Sequence, residues 1–152
     1  MDRVWLFYAI QVAASGYALL RGGAPERLTG LALLVAAVAT GIVQRNIPVL
    51  FAGLEAGVMI VDLLLLLALV AITLKADRFW IAWATALHAL GTGAHFVRVL
   101  SPDVMRLVYA LLSAAWSYPM VLLLVIGTLR HSRRIRAHGC DLDWSRQDPT
   151  FR

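Results

Sequence analysis

Two acids and two histidines stand inside apolar runs long enough to cross a bilayer. Glu55 and Asp62 lie in GLEAGVMIVDLLLLLALVAITL, residues 53–74, and His88 and His95 lie in the next apolar run, residues 79–100. Within each pair the spacing is seven residues, or two helical turns, which places both groups on one face about 10.5 Å apart. A charged side chain at the centre of a bilayer helix costs about 3 kcal/mol even on lenient insertion scales, so each group needs protein or trapped water beside it. The two runs are joined by a short segment around Lys75 and must form an antiparallel hairpin. Residues equidistant from that turn share a depth, which pairs Glu55 with His95 and Asp62 with His88. A carboxylate facing an imidazole in a low-dielectric site can pass a proton back and forth near neutral pH. In this reading Asp62 is the deep acid or base, His88 sets its proton affinity, and Glu55 with His95 forms a second pair or relay. The plainer expectation is a buried ladder that only fixes helix register.

Thr85, His88, Thr92, His95 and Arg98 continue the seam at three- and four-residue steps, with Gly91 and Gly93 beside it to admit a close neighbour. Other apolar runs add polar groups at similar levels: Tyr8, Gln11 and Ser15 on the first, and Tyr109, Ser113, Trp116, Ser117 and Tyr118 on the fifth. Gln11, Thr92, Arg98, Tyr109, Trp116 and Tyr118 are therefore the candidate ligand contacts, and Pro119 predicts a break in the last helix near Trp116. Two imidazoles about 10.5 Å apart on one helix cannot ligate one haem iron from both sides without a second chain. A metal between Glu55 and His95 lacks a third ligand unless Gln11, Tyr109 or another subunit supplies it. No metal site is assigned, and the residues identify no cofactor. Cys140 is the single cysteine, which excludes an intrachain disulfide.

The elements that must position these groups follow from composition. Of 152 residues 61% are hydrophobic and 15% charged, and the mean hydropathy is +0.75, outside the range of an ordinary soluble domain. The chain reads as an all-α integral membrane protein, an up-down bundle of five transmembrane helices at about 4–20, 26–44, 48–74, 79–100 and 104–129. The connections RGGAPER, QRNIP, LKADRF and LSPDV carry turn residues, with Pro48 and Pro102 suited to a first helical turn. The first run is read as a span in preference to a signal peptide, because its n-region is barely basic. Residues 131–152 read as a basic, then polar, cytoplasmic tail in which His131 and His138 have no assigned role.

An odd number of spans puts the N-terminus outside. Arg21, Arg27, Lys75, Arg78, Arg130, Arg133, Arg134, Arg136, Arg146 and Arg152 then fall on the cytoplasmic side, against Arg3, Arg45, Arg98 and Arg106 outside. The net charge of +5 is accounted for by that bias, and no nucleic-acid module is present. Arg130, Arg133, Arg134 and Arg136 suit anionic head groups. Trp80 and Trp83, with Trp5 at the other end, are expected in interfacial belts. The inner halves, residues 63–74 and 121–129, hold almost nothing polar, so a pocket should open away from the basic side.

Five spans in this length, with five tryptophans, is similar in outline to the translocator-protein family. That family's proline and tryptophan motifs in the first loop are absent, and none of its function is carried over. Three functional classes follow from the residues themselves. The first is a protein of the inner membrane whose outward pocket binds, or transforms by acid–base chemistry, an apolar lipid-soluble molecule. The second is a proton-coupled transporter or channel subunit working as a homo-oligomer, and the third an accessory subunit whose ladder is structural.

Overall fold

In apolar runs punctuated by Gly-Gly, Asn and Asp, separate helices satisfy the backbone hydrogen bonds within each run. The computed structural model describes residues 2–46, 51–76, 78–100, 115–141 and 144, with the side chains of 2–4, 46, 51–55, 94 and 96–100 outside the description. Among the described residues the chain is all-helical, with α1 (Asp2–Arg21), α2 (Ala24–Asn46), α3 (Phe51–Lys75), α4 (Phe79–Leu100) and α5 (Ser117–His138). Each helix packs against its neighbours in chain order, α5 closes against α1, and α5 also touches α2 through the middle. Helices α1 and α5 run the same way. Phe7 meets Tyr118 edge-on at 5.0 Å, and one stretch of equal length later Ser132 Oγ donates to the Arg21 carbonyl at 3.1 Å. One end of the ring therefore gathers Arg21, Arg27, Lys75, Arg78 and the arginines of α5, and is called the basic end below.

The first four helices lie within a few residues of their expected bounds. The last described helix, Ser117–His138, follows a break at Trp116 and continues past the expected close at 129. Residues 101–114, and with them the expected start of that span, lie outside the described residues. The chain turns at Trp116, so Pro119 falls in the first turn of α5, where no intrahelical donor is required of it. At the other end RHSRRIRAH stays helical because arginine and alanine are good helix formers and no breaker occurs before Gly139. Gly139 adopts φ +75° and donates to the Ile135 carbonyl at 2.9 Å, a left-handed cap that ends the helix. The basic segment expected to begin the tail is thus two further turns of α5.

Large apolar side chains face outward on every helix as well as inward. Trp5 and Ile10 on α1, Val35 and Val38 on α2, Leu64 and Leu67 on α3, Trp83 and Leu90 on α4, and Leu122 and Ile126 on α5 are all exposed. Two helices, over Ala24–Arg45 and Ala56–Lys75, are long and apolar enough to cross a membrane. Leu69, Ile81 and Leu124 form the fully buried centre toward the basic end. Trp80, expected beside Trp83 in a belt, is buried instead. Its indole lies flat on Gly127 of α5, where even a Cβ would collide with the ring. The close approach expected at Gly93 falls elsewhere, since a Cβ there meets nothing among the described residues.

Candidate functional site

Helices α3 and α4 bring the acid and histidine faces together with a register that differs from simple equidistance. His95 Nε2 donates to Asp62 Oδ2 at 2.9 Å, while His88 Nε2 donates to the backbone carbonyl of Asp62 at 2.9 Å. The expected side-chain pairing of Asp62 with His88 is therefore replaced by Asp62 with His95. Side-chain direction explains the offset. A helical side chain leans toward its own N-terminus, and in an antiparallel pair the two leans oppose each other. Asp62 reaches away from the basic end and meets His95 reaching toward it, whereas His88 passes beneath Asp62 and finds the carbonyl. The Thr73 and Thr85 hydroxyls, 2.8 Å apart nearer the turn, are offset in the same direction. The side chains of Glu55 and Arg98, and all of Tyr109, lie outside the described residues.

Because a carbonyl only accepts, the His88 bond fixes the hydrogen on Nε2 and leaves Nδ1 of the neutral ring as an acceptor. His95 is buried, and Asp62 is 26% exposed toward a cavity of about 180 Å³. Asp62, His88, Gln11, Tyr8, Thr40 and Ser117 supply its polar lining, with Phe7, Leu33, Leu65 and Met120 among its apolar walls. Every one of these residues lies in the half of its helix away from the basic end or at mid-length. Gln11 is buried and holds α1 to α2 through a bond from Nε2 to the Leu33 carbonyl at 2.9 Å. Thr92 sits behind His88, donating to its carbonyl at 2.9 Å, and does not border the cavity. Trp116 and Tyr118 do not border it either. Tyr118 is half exposed against Phe7, and Ser117 between them takes the position at the wall. Among the described residues no three of His, Cys, Asp and Glu converge as metal ligands would.

A second charged assembly closes the basic end. Asp141 folds back past Gly139 and accepts a two-pronged bond from Arg78, at 3.1 Å from Nη1 to Oδ1 and 2.7 Å from Nη2 to Oδ2. His131 Nδ1 donates to the same Oδ2 at 2.7 Å, and Arg134 Nε lies 3.1 Å from Oδ1. Glu26, wholly buried at the start of α2, places Oε1 3.7 Å from Arg78 Nε and makes no hydrogen bond among the described residues. Burial pushes the Asp141 pKa up, but the bonds from Arg78 and His131 and the charges of Arg78 and Arg134 outweigh it, and the carboxyl is held below the ordinary aspartate range. This assembly was not legible as a site: Arg78 reads as a topology charge, and His131 and Asp141 read as tail. The one local signal is HGCD after α5, a glycine stop followed at once by an acid.

No family model, characterised protein or solved structure matches this chain.

Proposed function

We propose that the chain is a five-span protein of the inner membrane, with its basic end cytoplasmic, and that the cavity beside Asp62 takes the ring or head group of an apolar, lipid-soluble molecule. Exposed apolar side chains around all five helices, and the collection of arginine at one end, support the membrane reading. The observation that carries the site is the joint bordering of one cavity by Asp62 and His88, with Asp62 held from behind by buried His95. An apolar cavity of about 150 Å³ holds one benzene, so a space of about 180 Å³ suits a single ring, leaving any tail among the exposed apolar side chains.

The arrangement suits proton transfer. Asp62 can take a proton from the bound molecule or give one to it, while His95, bonded to the same carboxylate, offsets the change in charge. An isomerisation of this kind returns the proton at a second atom and needs no co-reactant; cyclisation and hydration use the same two groups. A transporter would require a path through the basic end, where Arg78, Glu26, Asp141 and His131 pack together, and that packing favours a pocket closed on one side. The test is native mass spectrometry of the gently extracted protein, with an absorption spectrum of the same sample. A retained single-ring lipid, lost on Gln11→Leu but kept and left untransformed by Asp62→Asn, is the expected result. A ligand-free protein whose Asp62→Asn variant fails only to assemble with a partner would replace this reading with a structural ladder.

A further inference from the structure

A second cavity, about 350 Å³, opens at the basic end between the close of α1, the start of α2 and α5. Arg21, Arg27 and Arg136 reach it from three different helices, with His131 and Ser132 between them, and no carboxylate is among its lining residues. Among the described residues none of these three guanidinium groups takes an ion pair. The neighbouring acids are already engaged, Asp141 by Arg78 and His131, and Glu26 by Arg78. Arg27 is aimed by a bond from its Nε to the Gly22 carbonyl at 2.9 Å, which leaves its two terminal amino groups for another partner. His131 uses Nδ1 on Asp141, which leaves Nε2.

Like charges gathered around one hollow repel unless an anion joins them. Guanidinium forks match the tetrahedral oxygens of a phosphate, and three of them can share its charge. We propose that this cavity binds a phosphate group, carried by an anionic lipid or free in solution. Leu20 and Ile135 border the same space and are 80% and 40% exposed, which offers an acyl chain apolar contacts beside the phosphate. The site differs from the head-group cluster expected from sequence: of Arg130, Arg133, Arg134 and Arg136, only Arg136 borders the cavity, and Arg134 leans on Asp141.

The experiment uses the full chain in mild detergent, offered dioleoyl phosphatidate, dioleoylglycerol or inorganic phosphate, with adducts counted by native mass spectrometry and stability followed by melting. Phosphatidate should bind and dioleoylglycerol should not. Arg136→Gln should weaken binding about tenfold, and Arg27→Gln with Arg136→Gln further. Arg130→Gln with Arg133→Gln removes equal charge outside the cavity and should change little. Stabilisation by inorganic phosphate alone, lost in Arg136→Gln, supports the same site with a soluble source. Arg136 is exposed, so its variant should melt as the wild type does. Equal losses in both variant pairs would reduce the site to diffuse surface charge and overturn the proposal, as would full retention in the Arg27 and Arg136 variants. Neither result depends on what occupies the cavity beside Asp62.

Discussion

Asp62 and Asp141 each accept a bond from one histidine, at 2.9 Å and 2.7 Å, yet the two carboxylates are set in opposite surroundings. Asp141 also takes both prongs of Arg78 and lies beside Arg134, so both its oxygens are held by cations and it borders none of the described cavities. Asp62 has His95 behind it and a cavity in front. A carboxylate saturated by fixed cations is a fastener, since any change in its charge strands its partners. One that keeps a face toward an opening can change its charge while a single imidazole compensates. The number of partners, more than the residue types, separates the two.

The largest effect should come from Asp141→Asn. It takes the two-pronged carboxylate from the buried Arg78, whose Nε lies a longer 3.7 Å from Glu26 Oε1, and breaking a buried pair of this kind costs about 3 kcal/mol. Melting in detergent measures it. A cost below about 1 kcal/mol, as for an exposed pair, would make the basic-end assembly a surface contact and erase the contrast.

Acid should undo the same fastener more gently. The folded-state pKa of Asp141 is depressed, so its contribution is fully present above the ordinary aspartate value and is lost as pH falls through the folded value. Loosening of the α5 end should therefore begin only below about pH 4. Hydrogen exchange over residues 131–141 reads it, and loosening already at about pH 6 would mean that Asp141 does not control this end.

The two regions also differ in how much of them could be read from sequence. Asp62, His88 and His95 stand out because a polar group in an apolar run is conspicuous, and the hairpin around Lys75 narrows their partners to one neighbouring helix. What equidistance misses is side-chain lean, which moves the partner of Asp62 from His88 to His95. The walls were harder to rank: Tyr8, Gln11, Trp116, Ser117 and Tyr118 all fall at similar levels, but α5 begins at Ser117 and turns that residue, not its aromatic neighbours, to the cavity. Arg78 and Asp141 lie 63 positions apart, and nothing local marks either as buried. The charged segment after Leu129 signals topology strongly enough to hide that it is also helix and packing surface. Four helix positions were legible from apolar length and turn residues, while the end of α5 was set by Gly139, beyond the apolar run.

Asp62→Asn should cost far less stability than Asp141→Asn, about 1 kcal/mol, because the amide oxygen can still accept from His95 and the side chain already borders open space. On the proposed acid–base function, its main effect is loss of turnover with the ligand still bound. Equal destabilisation by the two substitutions in the same melting assay would make both pairs fasteners, and the ladder structural.

The smallest effect should come from Thr85→Val, in the hairpin between the two regions. Thr73 Oγ1 lies 2.8 Å from the Leu69 carbonyl, Thr85 Oγ1 lies 2.9 Å from the Ile81 carbonyl, and the two hydroxyl oxygens are 2.8 Å apart. Each hydroxyl has one hydrogen, so at most two of these three contacts can be occupied at once. When Thr85 becomes valine, Thr73 still has its own carbonyl to donate to, and no buried donor is stranded. Interhelical polar contacts in membrane proteins average about 0.6 kcal/mol, which sets the expected loss. If the register of α3 on α4 is held by the Asp62 and His95 pair, the Thr85→Val protein should keep that bond, visible as an unchanged His95 resonance. A shifted resonance would mean that the threonines near the turn set the register and that the acid and histidine only follow it.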